Sequence, residues 1–140
     1  MDKKIRNYIL TQPADRQSIL SDIHSIILDK DRSVISEIAP MMGKEMIIYK
    51  SYGVMKYGLA GVKNYMSLHV LPIYGSKTLY EKYRSLLNKA NFQKGCINFD
   101  TVEKMPLDIV GQLISDCSKV DLKKIREDYL KEKKKVKAKN

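Results

Sequence analysis

The sequence predicts an α+β fold, in which an antiparallel β-meander plus one short extra strand packs on helices. Helical patterns come first in the chain, strand-like runs fill its middle, and helical patterns return after Gly75. This segregation is typical of α+β proteins, because regularly alternating strands and helices would instead indicate a parallel α/β sheet. The turns between the strand-like runs are short, and short turns join antiparallel neighbours.

Two helices are predicted at the start of the chain. Residues 2–10 favour a short helix that Asp2 caps with its side chain. A second helix opens at Pro13, since proline fits the first helical turn, and runs to about Leu28. The apolar residues of this second helix recur with the helical period and form one stripe: Ile19, Leu20, Ile23, Ile26 and Ile27.

The middle of the chain predicts a short third helix followed by three strands. Residues 34–38 are expected to be helical, with Pro40 as the stop. Residues 46–49 and 54–57 form the first two strand-like runs, and residues 65–74 form a longer third run. Because the third run alternates in polarity, one of its faces is expected to pack on the helices while the other face is half apolar.

The rest of the chain predicts three helices and one short strand. Thr78 and Glu81 have the spacing of a capping box and mark the start of the first of these helices. Residues 94–99 form the short strand after a glycine turn, and Pro106 opens the next helix. Asp121 is placed to cap the last helix.

The positive charge of the chain is concentrated at its C-terminal end. The 140 residues carry a net charge of +10, from 26 Lys plus Arg against 16 Asp plus Glu. Residues 123–140 hold nine bases and three acids, so they contribute +6 and leave +4 for the rest. We therefore predict one domain over residues 1–122 and a basic helix end or tail over residues 123–140. The run Lys133, Lys134 and Lys135 fits either a solvated helix end or a weak contact for nucleic acid.

Several functional classes have no motif in this sequence. No apolar stretch reaches the roughly 18 residues of a membrane span, and the N-terminus has no signal-peptide core, so a cytoplasmic protein is expected. Cys96 and Cys117 are too far apart for a CxxC pair and are expected to behave as small hydrophobes. The spacings of zinc, nucleophile and phosphate sites do not occur, which favours a non-enzymatic protein without a cofactor.

The two histidines have different surroundings in the sequence. His24 lies beside the apolar stripe of the second helix and is expected to pack at the edge of the core. His69 lies inside the apolar third strand-like run. It fits either a hydrogen-bonded histidine of the sheet or one that binds a ligand or a metal.

An acidic stripe offers metal binding as an alternative function. Asp15, Asp22 and Asp29 recur every seven residues, so they share one side of the second helix. Carboxylates bind hard cations, and His24 or His69 could assist them. The same three aspartates also fit the ordinary solvated face of an amphipathic helix.

Several segments of the chain, in the same order over about residues 5–118, carry a family resemblance. They are Arg16 in the N-terminal helical region; Ile48-Tyr49 with Tyr52-Gly53-Val54-Met55-Lys56-Tyr57; Tyr65-Met66-Ser67-Leu68-His69-Val70-Leu71-Pro72-Ile73-Tyr74; Lys94-Gly95-Cys96-Ile97-Asn98-Phe99; and Pro106-Leu107-Asp108-Ile109-Val110. In these segments the chain resembles the bacterial YdhG-like family, also called the DUF1801 domain. The resemblance implies an α+β fold with a curved antiparallel sheet packed on helices.

The resemblance also bears on iron. Some members of that family look like frataxin analogues and are regarded as intracellular iron chaperones; these tend to be acidic and carry a Tyr-Gly-x-Pro-x-Phe hairpin. The corresponding residues of this chain, 52–57, lack the proline, and the net charge is positive. Iron binding through Asp15, Asp22 and Asp29 is therefore the alternative function rather than the first one.

The first functional prediction is a small binding module that acts through the face of its sheet. The candidate residues all lie within the resembling segments: Tyr49, Tyr57, His69, Tyr74 and Lys94. Their hydroxyl and imidazole groups would contact a small ligand or a protein, and Lys94 would contact an anion. The sequence leaves both a monomer and a homodimer open.

Overall fold

The structure, a computed structural model, describes residues 1–93, 95–122, 124, 127 and 130–131. Its α-helices with defined bounds are α1 (Lys3–Leu10), α2 (Ala14–Lys30), α3 (Lys77–Leu86) and α4 (Leu107–Ser118). Its strands are β1 (Val34–Met41), β2 (Lys44–Ser51), β3 (Val54–Gly61), β4 (Met66–Val70), β5 (Asn91–Gln93) and β6 (Cys96–Phe99). Single 3₁₀ turns occupy Leu71–Ile73 and Val102–Lys104.

The strands form one open antiparallel sheet in the order β1-β2-β3-β4-β6-β5. This sheet and the helices packed on it confirm the predicted α+β fold. The first four strands follow one another as a meander, and the expected short strand is β6, which pairs with β4. Strand β5, on the far side of β6, is a second short strand that the sequence pattern does not reveal.

The segment expected to be a third helix is in fact strand β1. Val34 and Ile38 reach the core while Ile35, between them, is 76% exposed, as strand alternation requires. All eight residues of β1 pair with β2, and this pairing, together with several β-branched side chains, outweighs the weak helical spacing. Pro40 fits because β1 is an edge strand, whose outer side needs no backbone donor.

The main core lies between the helices and one side of the sheet, which we call the helix-side face. The buried strand residues of this face are Val34, Ile47, Tyr49, Tyr57, Leu59, Met66, Leu68, Val70, Ile97 and Phe99. Each α-helix contributes at least one buried residue to the same cluster, among them Ile5, Ile23, Tyr83 and Leu113. Burial of this apolar surface is the dominant stabilising contribution to the fold.

The opposite side of the sheet, which we call the open face, has a small apolar cluster of its own. Its central members are Met46, Ile48 and Ala60, each buried, with Ala39, Met41 and Met55 packed against them. All of these residues belong to β1, β2 or β3. Within the described residues, no helix contributes to this second cluster.

Helix α1 has the cap that the sequence predicts, whereas helix α3 has a different one. Asp2 Oδ1 accepts a hydrogen bond from the Lys4 N–H at 2.8 Å, so the predicted cap of α1 is confirmed. Helix α3 is capped by Ser76, whose Oγ accepts a hydrogen bond from the Leu79 N–H at 3.2 Å. The capping box that starts at Thr78 was therefore wrong, because Thr78 already lies within the first helical turn.

Arg16, on α2, fixes the connection between β3 and β4. Its guanidinium donates hydrogen bonds to the backbone carbonyls of Val62, Lys63 and Tyr65. One planar guanidinium thus holds three carbonyls of the connection, and the Tyr65 carbonyl also accepts a hydrogen bond from the Val62 N–H. The connection also forms one wall of the cavity that is described below.

The C-terminal predictions are only partly within the described residues. Asp121 Oδ1 accepts a hydrogen bond from the Lys124 N–H at 3.1 Å, which is the predicted cap. Lys133, Lys134 and Lys135 lie outside the described residues, so the structure bears on neither explanation of that basic run. Among the helices that the structure describes, none has the length and apolar composition needed to cross a membrane.

Candidate functional site

Two of the predicted site residues, Tyr49 and Tyr57, point into the main core and have no exposed surface. The Tyr49 hydroxyl lies 2.7 Å from Nδ1 of His24, which is itself 2% exposed. Burial lowers the pKa of His24 and raises the pKa of Tyr49, so both groups are neutral at pH 7. His24 is therefore a hydrogen-bonded core residue, and its expected place at the edge of the core is corrected.

The Tyr57 hydroxyl belongs to a buried polar cluster around Asp31. It donates a hydrogen bond to Asp31 Oδ2 at 2.7 Å, and Lys56 Nζ lies 2.8 Å from the same oxygen. The N–H and hydroxyl of Ser33 donate to Oδ1. Burial alone would raise the pKa of Asp31, but the hydrogen bonds from Lys56, Ser33 and Tyr57 outweigh it and lower that pKa. Asp31 is thus an ionised carboxylate whose partners all lie inside the protein.

A β-bulge explains how the neighbours Lys56 and Tyr57 both reach the helix-side face. Tyr49 pairs with Tyr57, and the next residue of β2, Lys50, pairs with Met55, so Lys56 is an extra residue in β3. An extra residue interrupts the regular alternation of side chains along a strand. Lys56 is thereby directed to Asp31 instead of to the open face.

The other predicted members of the candidate face lie apart from these tyrosines. His69 lies on the open face, where it pairs across the sheet with Gly58 and Cys96. Tyr74 is 59% exposed and lies after the 3₁₀ turn, with its ring against Gly95. Lys94 is outside the described residues. The predicted set therefore does not form one surface, because strand alternation separates His69 from both buried tyrosines.

The acidic stripe on α2 does not converge on one point. Asp15, Asp22 and Asp29 are all exposed. Seven helical residues span about 10 Å, which is several times the length of a metal–oxygen bond. Asp29 already contacts Lys30 and Arg32. In the described part of the chain, no three His, Cys, Asp or Glu side chains are close enough to hold a metal ion, so the predicted ligand set is not assembled.

The open face carries a cavity of about 230 Å³. Its floor is formed by Met46 and Ala60 of the second apolar cluster, which are 4% and 9% exposed. The connection between β3 and β4 and the turn between β1 and β2 form its sides. Polar groups approach from β4, β5 and β6, through the side chains of Ser67, His69, Gln93, Cys96 and Asn98.

One of the polar contacts in this cavity joins Cys96 and His69. Cys96 Sγ lies 2.9 Å from His69 Nδ1, on directly paired residues of β4 and β6. Burial lowers the pKa of His69 and raises the pKa of Cys96. The pair therefore rests at pH 7 as a neutral imidazole and a protonated thiol, rather than as an ion pair.

A second cross-strand pair lies next to the first. The Ser67 hydroxyl donates a hydrogen bond to Asn98 Oδ1 at 2.8 Å, and it lies 3.5 Å from His69 Nε2. Ser67 and Asn98 are directly paired in the sheet, two residues along from His69 and Cys96. Strand alternation thus gathers four polar side chains on the open face, each held by a rigid backbone.

Gly58 makes room for the floor of the cavity. A Cβ atom at this position would lie 2.6 Å from the Met46 methyl carbon, 2.8 Å from the Met55 methyl carbon and 3.4 Å from the Cβ of His69. Without a side chain at Gly58, both thioether side chains cross the centre of the sheet. The methyl end of Met46 therefore lies on the same side of Gly58 as the Cβ of His69.

Searches of protein-family models, curated proteins and solved structures found no match to this chain. The resemblance to the YdhG-like family therefore stays a prediction, and the cavity is the feature from which a function can be inferred.

Sequence reasoning found one residue of this cavity, His69, and missed the others. The signal for Ser67 is present, because it lies two residues from His69 in an alternating run. Cys96 and Asn98 have the same spacing in β6, but the register between β4 and β6 cannot be read from the sequence. Cys96 was expected to behave as a small hydrophobe, whereas the structure places it half-buried beside an imidazole.

Proposed function

We propose that this protein is a non-enzymatic binding module that holds a small ligand or a short protein segment in the open-face cavity. The observation that carries the proposal is a buried apolar floor, with polar side chains converging on it, on a side of the sheet where no described helix packs. Ligand sites typically combine mostly apolar walls with a few polar groups that fix orientation.

The side chains of the floor suit an adaptable site. Met41, Met42 and Met46 all line the cavity, and methionine is flexible and polarisable, so it adjusts to ligands of different shape. Met42 is 86% exposed at the turn between β1 and β2. The lining of the cavity is thus buried at Met46 and exposed to solvent at Met42.

The charges around the cavity favour an uncharged ligand. The inner polar groups are a thiol, an imidazole, a hydroxyl and amides, and at the edge Lys44 and Glu45 carry opposite charges. Such groups form hydrogen bonds with a ligand, but they produce no net electrostatic field that would attract a strongly charged molecule. A small heterocycle with one or two hydrogen-bonding atoms fits this chemistry.

We place this activity in the cytoplasm. Both cysteines are free thiols, and the thiol of Cys96 takes part in the cavity. Free thiols are kept reduced in cytoplasmic compartments. Measurement of the thiol content of the protein isolated from cells would test this placement, because full oxidation of Cys96 would contradict it.

An NMR titration with a library of small uncharged heterocycles tests the binding module. Compounds that bind are expected to shift the backbone amide signals of Ala60, Ser67, His69 and Asn98 together. Ala60→Leu adds three carbons to the floor of the cavity and is expected to abolish these shifts. Thr78→Leu, an equally apolar change on the exposed surface of α3, is expected to leave them intact. Shifts that cluster on another surface, or that persist in Ala60→Leu, would contradict the proposal.

A further inference from the structure

We propose that Cys96, His69 and Met46 form a binding site for copper(I) in the open-face cavity. The inference rests on the proposed function in one respect, namely that the cavity admits a ligand from solvent. It goes further in assigning the cavity a second ligand, a soft, monovalent metal ion whose complex is uncharged, held by one thiolate, one imidazole and one thioether.

The two inner donor atoms, on Cys96 and His69, lie side by side. Cys96 Sγ and His69 Nδ1 are already 2.9 Å apart on directly paired residues of neighbouring strands. Both side chains are only partly buried and line the same cavity. Two donor atoms that approach from rigid strands, with open space beside them, are the core of a metal site that needs little rearrangement.

The chemical character of the donors favours copper(I). Thiolate and thioether sulfur are soft ligands that select copper(I), and imidazole also suits copper. Met46 offers the thioether, because it lines the same cavity as Cys96 and His69, and its methyl carbon and the His69 Cβ both lie next to Gly58. Met41 and Met42 line the same cavity and offer further soft donors.

The same donors do not suit harder ions. Zinc in structural sites takes four ligands, and iron and other hard cations prefer several carboxylates. In the described residues, no three His, Cys, Asp or Glu side chains lie close enough together to hold a metal ion, so such ions find too few ligands. One thiolate neutralises copper(I) completely, and a neutral complex avoids the free-energy penalty of a net charge in a half-buried site.

The binding step balances without any redox change. The Cys96 thiol loses one proton to solvent, its sulfur forms a bond to copper(I), and the metal stays monovalent. Metal bonds of about 2.0 Å to nitrogen and about 2.3 Å to sulfur hold these two atoms roughly 3.5 Å or more apart. The Cys96 and His69 side chains must therefore separate slightly from their hydrogen-bonded distance of 2.9 Å as the metal enters.

An anaerobic competition with a coloured copper(I) chelator, bicinchoninate, tests the site. The full chain is expected to withdraw one equivalent of copper(I) and to release one proton per metal ion. Zinc chloride in excess is expected not to displace the copper. Copper that stays on the chelator at every protein ratio would overturn the inference.

Matched variants assign the ligands. Cys96→Ser keeps the shape of the side chain and is expected to abolish transfer, and His69→Ala is expected to weaken binding at least about tenfold. Met46→Leu conserves volume and tests the thioether, with Met105→Leu, in the main core, as its control. Near-ultraviolet circular dichroism of each variant confirms that it is folded. Equal transfer by Cys96→Ser and the wild type would overturn the site.

Two outcomes separate this inference from the proposed function. If uncharged heterocycles shift the cavity amides while copper(I) stays on the chelator, the copper site is rejected and the binding module stands. If Cys96 of the native protein resists a small alkylating reagent, iodoacetamide, even at a pH alkaline enough to ionise the thiol, the cavity is closed to solvent. That second result would reject both proposals.

Discussion

At the scale of single residues, the buried ion pair of Asp31 and Lys56 is expected to have a large effect on stability. Both side chains are nearly inaccessible to solvent, at 2% and 3% exposure. Burying two charges carries a desolvation penalty that only good geometry offsets. Here the carboxylate receives further hydrogen bonds from Tyr57 and Ser33, so each of its oxygens has a partner.

Lys56→Met is expected to lower the free energy of unfolding by about 3–5 kcal/mol, because it leaves the Asp31 carboxylate buried without its cation. Chemical denaturation measures this difference. Lys50→Met is the matched control, since Lys50 pairs with Glu37 at the surface, where both side chains are more than 40% exposed. An exposed pair contributes about 0–1 kcal/mol. Equal losses in the two variants would show that the buried pair is not the cause.

The same cluster predicts a pH dependence. The pKa of Asp31 is lowered in the folded protein, so its contribution to stability is present above the unfolded pKa of about 3.9. That contribution is lost as the pH falls through the lower folded pKa. In Lys56→Met, burial is expected to raise the pKa of Asp31 instead. The stability difference between wild type and variant is therefore expected to shrink on acidification, first as the pH falls through the raised pKa of the variant, above about 3.9, and then as it falls through the lowered pKa of the wild type. A constant difference would contradict this explanation.

Among the elements, the β2–β3 hairpin has a two-residue turn in which one residue, Gly53, favours the left-handed backbone conformation and the other, Tyr52, does not. Tyr52 and Gly53 both have positive φ, at 52° and 80°, as a two-residue type I′ turn requires. The left-handed conformation costs a non-glycine residue about 1–2 kcal/mol, and this free-energy cost is smaller for asparagine than for tyrosine. Because Tyr52 is 87% exposed, replacing it removes little packing.

Tyr52→Asn is therefore expected to raise the free energy of unfolding by about 0.5–1 kcal/mol, which thermal denaturation would register as a higher Tm. Gly53→Ala is the opposite test, because a Cβ there meets no atom within 4 Å and the only change is backbone strain. That variant is expected to be destabilised by about 1 kcal/mol. A turn in which both substitutions are neutral would contradict this conformation.

At the level of elements, sequence reasoning worked where a segment's own periodicity is strong. Helices α1, α2 and α4 and strands β2, β3 and β6 lie close to their predicted positions. The third strand-like run, predicted over residues 65–74, is a strand only as far as Val70 and continues as the 3₁₀ turn Leu71–Ile73, because Pro72 cannot donate to the sheet. It failed at β1, where Val34, Ile35 and Ile38 fit a helical spacing as well as a strand. Eight backbone pairs with β2 decide that segment, and such pairing is not a property of the segment alone.

Across the whole molecule, the described helices cover one side of the sheet and leave the other side open to solvent. The two cysteines lie on different sides of the sheet. Cys96 is half-buried at the open-face cavity, whereas Cys117, on α4, has no exposed surface in the main core. Burial raises the pKa of Cys117 to about 12. At neutral pH this second thiol is both protonated and inaccessible.

Thiol labelling is therefore expected to occur in two separate phases. Iodoacetamide is expected to modify Cys96 in the native protein, while Cys117 reacts only as global unfolding exposes the main core. Mass spectrometry after pulses at increasing denaturant concentration measures both positions in one sample. Cys96→Ser serves as the control, since it should leave only the late phase. Early labelling of Cys117 would contradict the closed helix-side core.

The sequence by itself determined the α+β class and most of the elements, because hydrophobic periodicity and helix caps are local properties of the chain. It also indicated His69 as a residue of interest. Tertiary structure alone decided that Tyr49 and Tyr57 are buried, that Lys56 turns to Asp31 at a bulge, and that Cys96 meets His69. The physical reason is that strand register and the choice of the covered face depend on contacts between residues far apart in sequence, and a shift of one residue moves a side chain to the other side of the sheet.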